Sequence, residues 1–182
     1  NTAYIRNHLI SRIDVRRAPL GSAHHGVLTT GTNSFPCCLG RGGITAKKHE
    51  GDGATPAGSF AILGGYYRPC RLRLRSSPFA MLPIRKTDGW CDAPDNPNYN
   101  SEVSLPFDAS HEKLYREDRL YDLILILDYN IHPRVRNRGS AIFFHLTRPD
   151  RGPTEGCVAV DPAAMLRLLP RLSPDVRIHI HP

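Results

Sequence analysis

No apolar run in this chain approaches the ~20 residues that a membrane-spanning helix requires; the longest, "LILIL" at 123–127, has strand length. A soluble protein without stable membrane insertion is expected. Acidic side chains are the minority, 17 against 24 lysines and arginines, which leaves a net charge of +7. That balance favours anionic partners such as nucleic acid, a membrane surface or the acidic polymers of a cell envelope. Nucleic acid is the least supported, because no face interleaves basic and aromatic residues and no binding motif is present. The nearest approach, "RPCRLRLRS" at 68–76, reads as a solvated strand or loop face. The opening "NTAYIRNHLIS" lacks the basic flank and apolar centre of a signal peptide, so either none exists or the chain begins after its removal.

Repeats and low-complexity tracts are missing too, and 182 residues suit one compact domain, taken here as 1–182. Metal-ligand spacing is lacking: His24–His25 and the alternating His179 and His181 have no third ligand beside them, and adjacent Cys37–Cys38 make no zinc knuckle. Neither metal nor cofactor is expected. Five cysteines are an odd number; two disulfides plus a working thiol would suit an oxidising compartment, and five free thiols the cytosol. Cys91 is open to three readings: structural, bonded to Cys38 or another cysteine, or close to a functional site.

What is present is turn-rich and strand-rich. Sixteen prolines and fifteen glycines argue for many connections and against a helical bundle. "HLISRIDV" and "GVLTTG" read as strands separated by the turn-forming "RRAPLGSAHH". Thr55–Pro56 restricts the backbone just before a strand at "SFAIL". Residues 68–120 are the least regular part, and "GWCDAPDNPNYN" at 89–100 has the composition of a functional loop. "SHEKLYRED" at 110–118 is expected to be a short helix capped by Ser110. "YDLILILDY", "AIFFHL" and "GCVAV" are strands, the first two apolar enough to lie in a sheet covered on both faces. "DPAAMLRLLPRL" is a helix with Asp161 as N-cap and Pro162 at its first position, and "VRIHI" is a last strand. The predicted architecture is mainly β, a sandwich or distorted barrel of mixed sheets with one or two short flanking helices.

The stretch "IFFHLTRPDRGPTEGCVAV" at 142–160 carries the chemistry. It runs an apolar strand into His145, crosses a polar loop, and enters a second strand through Gly156–Cys157. A free thiol with a pKa of ~8.5 is mostly protonated at neutral pH. A histidine within reach accepts the proton and later returns it to a leaving amine. Gly156 permits close approach of backbone to substrate, so amides near Glu155, Gly156 and Cys157 fit an oxyanion site. The plain alternative is a small buried thiol and a hydrogen-bonded histidine without chemistry.

These residues resemble the L,D-transpeptidases with a YkuD-type catalytic domain, whose signature is a histidine at a strand end, a loop, then Ser or Thr, His, Gly and Cys. Here His145, Thr154, Glu155, Gly156, Cys157 and Val158 occupy those places, and Glu155 replaces the second histidine. "GDGATPAGSF", "GWCDAPDNPNYN" and "LYDLILILDYN" extend the likeness over roughly residues 38–172, toward the proteobacterial branch that reads T-E-G-C. The resemblance implies Cys157 as nucleophile and His145 as base, with a backbone carbonyl orienting the imidazole. It implies peptidoglycan stem peptides as substrates and an envelope or periplasmic location, and the branch it points to is associated with cross-links of the 1,3 rather than the 3,3 type. Thr154 and Glu155 would line the substrate, Glu155 receiving an acceptor ammonium. Arg148 would pair with a stem carboxylate, and Trp90, Asp92, Tyr99 and Asn100 would form a lid over the donor peptide. Two other readings stay open on sequence: a hydrolase of stem peptides, and a wall-binding module without chemistry.

Overall fold

The computed structural model describes residues 9–182; most of the opening stretch, read above as lacking the marks of a signal peptide, and His8, the first residue of the first predicted strand, lie outside them. In chain order the strands are β1 (Ile10–Arg17), β2 (His25–Thr30), β3 (Asn33–Cys38), β4 (Ile44–Thr45), β5 (Thr55–Pro56), β6 (Gly58–Tyr67), β7 (Met81–Pro83), β8 (Asp88–Cys91), β9 (Glu102–Ser104), β10 (His111–Lys113), β11 (Leu123–Leu127), β12 (Phe143–Leu146), β13 (Val158–Val160) and β14 (Leu172–Ile180). One helix, α1 (Pro162–Leu168), continues into a 3₁₀ turn over Leu169–Arg171.

The main sheet runs β11-β12-β13-β3-β2-β1-β14-β6-β7, and β11 also pairs with β6. That second pairing closes the sheet into a mixed barrel, with β7 added outside the ring. Closure leaves the eight strands of the ring without a free edge, which would otherwise invite aggregation. β12–β13 and β1–β14 are parallel pairs, while β11–β12, β13–β3 and β11–β6 are antiparallel. A small sheet of order β10-β8-β9 lies outside the barrel.

Alternation along the strands divides the packing in two. Phe144, Leu146, Val158 and Val160 join Ile13, Val15, Leu28 and Ile178 in the interior, where Met165, Leu168 and Leu169 of the helical segment also pack. Phe143 and Cys157 belong to a second cluster with Trp90, Tyr121 and Ile124 on the outer face. Both faces of β12 are therefore covered, which is why all four of its residues are buried and why its sequence is almost unbroken in apolar character.

Three expectations are corrected. Residues 110–118 form no helix; His111, Glu112 and Lys113 pair with Cys91, Trp90 and Gly89 as β10. A nine-residue polar segment is too short to be a stable helix alone, and the partner strand decides its state. Asp161 precedes α1 but makes no side-chain cap bond. Its carboxylate is taken instead by Thr147 Oγ1 at 3.1 Å and Arg151 Nη2 at 2.5 Å. The 68–76 run is not wholly solvated: Arg68 is 4% exposed, with its guanidinium 3.6 Å above the Tyr115 ring and bonded to the Arg116 carbonyl.

All five cysteines carry free thiols, Cys70 exposed and the others buried. Cys37 faces the barrel core, while Cys38 Sγ donates to the Arg151 carbonyl. No helix among the described residues is long and apolar enough to cross a membrane. Nor does any group of three His, Cys, Asp or Glu side chains there converge as for a metal ion; His181 is occupied with Asp14.

Candidate active site

The register of the parallel pair β12–β13 matches Phe144 to Val158 and His145 to Ala159. Cys157, one residue before β13, therefore lies opposite Phe143, and His145 stands two residues further along on that same outer face. Strand spacing and rise put the two backbones roughly 8 Å apart, a span that a histidine and a cysteine side chain can bridge. Both line one cavity of about 280 Å³, together with Asp92, Glu112, Tyr121, Arg148, Thr154 and Glu155. A larger hollow of about 560 Å³ beside β7 and β9 contains neither a cysteine nor a histidine.

His145 is 2% exposed, and its Nδ1 lies 2.8 Å from the Leu146 carbonyl. A carbonyl only accepts, so Nδ1 carries the proton and Nε2 is left as the basic nitrogen. Tyr121 packs edge-on against the ring, centroids 5.2 Å apart. Burial lowers the imidazole pKa to about 4, against the opposing pull of the Leu146 carbonyl.

Cys157 Sγ donates to the Ala141 carbonyl at 3.2 Å and accepts from the Phe143 N–H at 3.3 Å. Burial, reinforced by the charge of Glu112, pushes this thiol up to about 12. In the free protein the pair is accordingly a neutral thiol beside a neutral imidazole, because a low-dielectric pocket penalises either charge.

The turn that presents the thiol is held from three sides. Thr154 Oγ1 donates to the Cys157 carbonyl at 2.7 Å and accepts from Gly156 N–H at 3.1 Å. The Thr154 backbone exchanges bonds with Leu39 and Arg41, and the Gly40 N–H donates to the buried Thr55 hydroxyl at 2.8 Å. Gly156 has φ +145°, and a Cβ there would stand 2.8 Å from the Ala54 carbonyl and 3.2 Å from Ile142. Only glycine fits between that carbonyl and the turn. Of the three amides expected at an oxyanion site, Gly156 N–H is thus already engaged by Thr154.

The remaining sequence candidates separate into two groups. Arg148 is exposed at the cavity rim, and Glu155 is paired on the surface with Arg41. Asp92 lines the cavity. Trp90, Tyr99 and Asn100, however, are 5%, 3% and 1% exposed and lie beneath the site, not over it as a lid. Asn100 Oδ1 accepts from Trp90 Nε1 and from the Ala141 N–H, both at 3.0 Å. Trp90 also meets Phe143 edge to face. These side chains are the floor that fixes Ala141, whose carbonyl holds the thiol. Tyr99 bonds to Glu50 and receives the Gly139 N–H.

Glu112 and Tyr121 escaped the sequence reading. Tyr121 donates to Glu112 Oε2 at 2.7 Å, and burial raises the Glu112 pKa. Strand alternation in "HEK" is the signal that would have aimed Glu112 inward, had the segment been read as a strand.

Comparison with known proteins places the chain as a whole in a family. The family model for the YkuD L,D-transpeptidase catalytic domain matches residues 25–180. The chain belongs to this L,D-transpeptidase family. Two solved L,D-transpeptidases are among the structures similar to this chain. L,D-transpeptidase 1 of Mycobacterium tuberculosis is 12% identical, with 93% of this chain and 61% of that one covered and a TM-score of 0.40. An enzyme from Mycobacterium smegmatis is 12% identical, with 96% and 59% covered and a TM-score of 0.42. The chain thus spans about three fifths of the length of those structures. No curated protein sequence matches it.

Proposed function

We propose that this L,D-transpeptidase domain, a single unit over residues 1–182, joins peptidoglycan stem peptides through an acyl-enzyme on Cys157. The observation that carries the reading is the shared cavity of Cys157 and His145 on adjacent parallel strands, with the imidazole oriented by the Leu146 carbonyl.

As Cys157 Sγ attacks the carbonyl on the L-centre side of an L,D peptide bond, its proton passes to His145 Nε2. The tetrahedral oxyanion lies against backbone N–H groups at Glu155 and Cys157, where one such donor is worth on the order of a hundredfold in rate. The imidazolium then protonates the departing D-residue amine, leaving a thioester and a neutral imidazole. An amine of a second stem attacks the thioester; His145 takes its proton, and the thiol is regenerated. Water in place of that amine gives hydrolysis at the same site. Because thiol and imidazole are both neutral at rest, proton transfer accompanies attack instead of preceding it. Arg148 meets a stem carboxylate at the rim as a bidentate partner.

A basic charge balance, +7 overall, suits an anionic sacculus, and we assign the protein, working without a cofactor, to the periplasmic side of the envelope. The resemblance to the T-E-G-C branch, and no contact in the site, is the ground for proposing cross-links of the 1,3 rather than the 3,3 type. Incubation of purified sacculi with the protein, and with Cys157→Ala beside it, tests the whole reading by muropeptide separation and mass spectrometry. New dimers with the wild type alone support transfer, and their fragmentation gives the linkage. Shortened monomers without dimers identify a hydrolase, and unchanged sacculi refute both.

A further inference from the structure

The arginines of the basic run at 68–76 are of two kinds. Arg68 and Arg71 are committed inside the fold, Arg68 over the Tyr115 ring and Arg71 to Asp122 at 3.2 Å and the Asp118 carbonyl at 2.8 Å. Arg73 and Arg75 are exposed, because the leucines that alternate with them, Leu72 and Leu74, pack against the barrel core. On α1 and its 3₁₀ turn, Arg167 and Arg171 are exposed as well, and Leu166 beside them is 42% exposed. The two segments meet around a hollow of about 250 Å³, lined by Arg73, Leu74, Arg75, Leu166, Arg167 and Leu169 and by no acidic residue. Among the described residues, none of the four exposed arginines takes part in an ion pair; Arg167 has the Phe35 ring 5.9 Å away. Cations gathered without acids hold a positive potential that an anion relieves.

We propose that this hollow is a docking surface for an anionic phospholipid bilayer. The charge fits: three arginines line it, Arg171 follows in the chain, and guanidinium groups take phosphate through paired hydrogen bonds. The apolar part fits too. Leu74 and Leu169 line the hollow and exposed Leu166 stands among the cations, the pairing of basic rim and leucine that rests at a membrane interface. A glycan or an acidic peptide coil would use the arginines and leave the leucines unmatched. At about 250 Å³ the hollow is below the size that holds a drug-sized ligand, and it suits one phosphate with the glycerol ester beneath it. Docking is peripheral: the arginines meet the headgroups, and no element of the fold enters the hydrocarbon. The hollow shares no lining residue with the Cys157 cavity, so this inference stands independently of the acyl-enzyme reading.

The test is co-sedimentation of the full chain with vesicles of phosphatidylglycerol in phosphatidylcholine, against vesicles of phosphatidylcholine alone. The wild type is expected to pellet with the first and not the second, and to be released at about 1 M salt, where the screening length shrinks to about 3 Å. Each basic residue at an anionic surface is worth about fivefold in affinity, so Arg73→Gln/Arg75→Gln should bind at least about twentyfold more weakly. Leu166→Asn changes no charge and should still bind severalfold more weakly. Lys47→Gln/Arg138→Gln removes the same charge from a different cationic hollow and should keep most of the affinity. All five positions are exposed, so urea midpoints of the variants should match the wild type. Binding to neither vesicle, or to both alike, overturns the proposal. Equal weakening by the two double variants also overturns it, as the mark of undirected net charge. So does full affinity in Leu166→Asn together with displacement by soluble polyglutamate, the mark of an acidic polymer as occupant.

Discussion

Removing the side chain of Asn100 should cost this protein a large part of its stability and loosen the thiol two bonds away. Its amide is fully used: Oδ1 accepts from Trp90 and Ala141, and Nδ2 donates to the carbonyls of Tyr129 and Asn130 at 3.1 and 2.7 Å. In Asn100→Ala the two N–H donors lose their acceptor in a place that is 1% exposed. Each orphaned buried donor costs about 1–3 kcal/mol, so the pair costs about 2–6 kcal/mol, the lower value if water fills the gap. Asn100 also has φ +54°, a conformation that asparagine tolerates and alanine adopts at a further penalty of about 1–2 kcal/mol. Asn100→Gly removes the bonds without that penalty, and its stability should fall between wild type and Ala. Against the roughly 5–15 kcal/mol of a typical domain, the Ala variant is close to unfolding at ambient temperature. Urea titration gives the ranking, and iodoacetamide labelling of Cys157 below the transition should be faster in both variants because Ala141 no longer holds the thiol. An Ala variant within about 1 kcal/mol of wild type, labelled at the wild-type rate, would refute the idea that this floor positions the nucleophile.

Other consequences follow from the same geometry. His145 is lowered from its usual 6.5 to about 4, so between those values the unfolded chain binds a proton that the folded one refuses. Its contribution is complete above pH 6.5 and declines by about 3 kcal/mol as pH falls to 4, at about 1.4 kcal/mol per unit. Urea midpoints of wild type and His145→Gln should therefore converge at low pH, and parallel curves would contradict the burial argument. Cys157, pushed up to about 12, should react with iodoacetamide after exposed Cys70, its rate rising about tenfold per pH unit from 7 to 10; peptide mapping that finds Cys157 labelled first at pH 7 would count against a neutral resting thiol. Gly156→Ala forces a Cβ to within 2.8 Å of the Ala54 carbonyl. It should cost about 1–3 kcal/mol in thermal unfolding and, by displacing the thiol, on the order of a hundredfold in donor turnover.

Much of this was legible in the sequence, for reasons that particular segments show. β11, β12 and β13 announce themselves as short apolar runs because both faces are covered, and α1 through Pro162 and the spacing of Met165 and Leu168. The pairing of His145 with Cys157 could be anticipated because two strand ends and a loop of polar residues bring them to one edge. Barrel closure was not legible. It depends on β6 meeting β11, with Gly65 opposite Leu125, and no local pattern records a contact across sixty residues. β10 was mistaken for a helix because its strand state comes from Trp90 and Cys91 on the neighbouring strand. The same error hid Glu112. Trp90 and Asn100 were found in an irregular segment of functional composition, yet composition does not say whether such a loop covers a site or supports it. Here the bonds to Ala141 make it the support.

The central claim is that Cys157 carries the stem peptide as a thioester. The decisive measurement is acid quenching of the protein within seconds of mixing with a stem tetrapeptide, followed by intact-mass and peptide-mapping spectrometry. The account predicts an adduct of the peptide less its terminal D-residue, located on Cys157, lost on adding an acceptor amine and absent in Cys157→Ala. His145→Gln should form it far more slowly. An adduct on another residue, or terminal-residue release by Cys157→Ala at the wild-type rate, would contradict it.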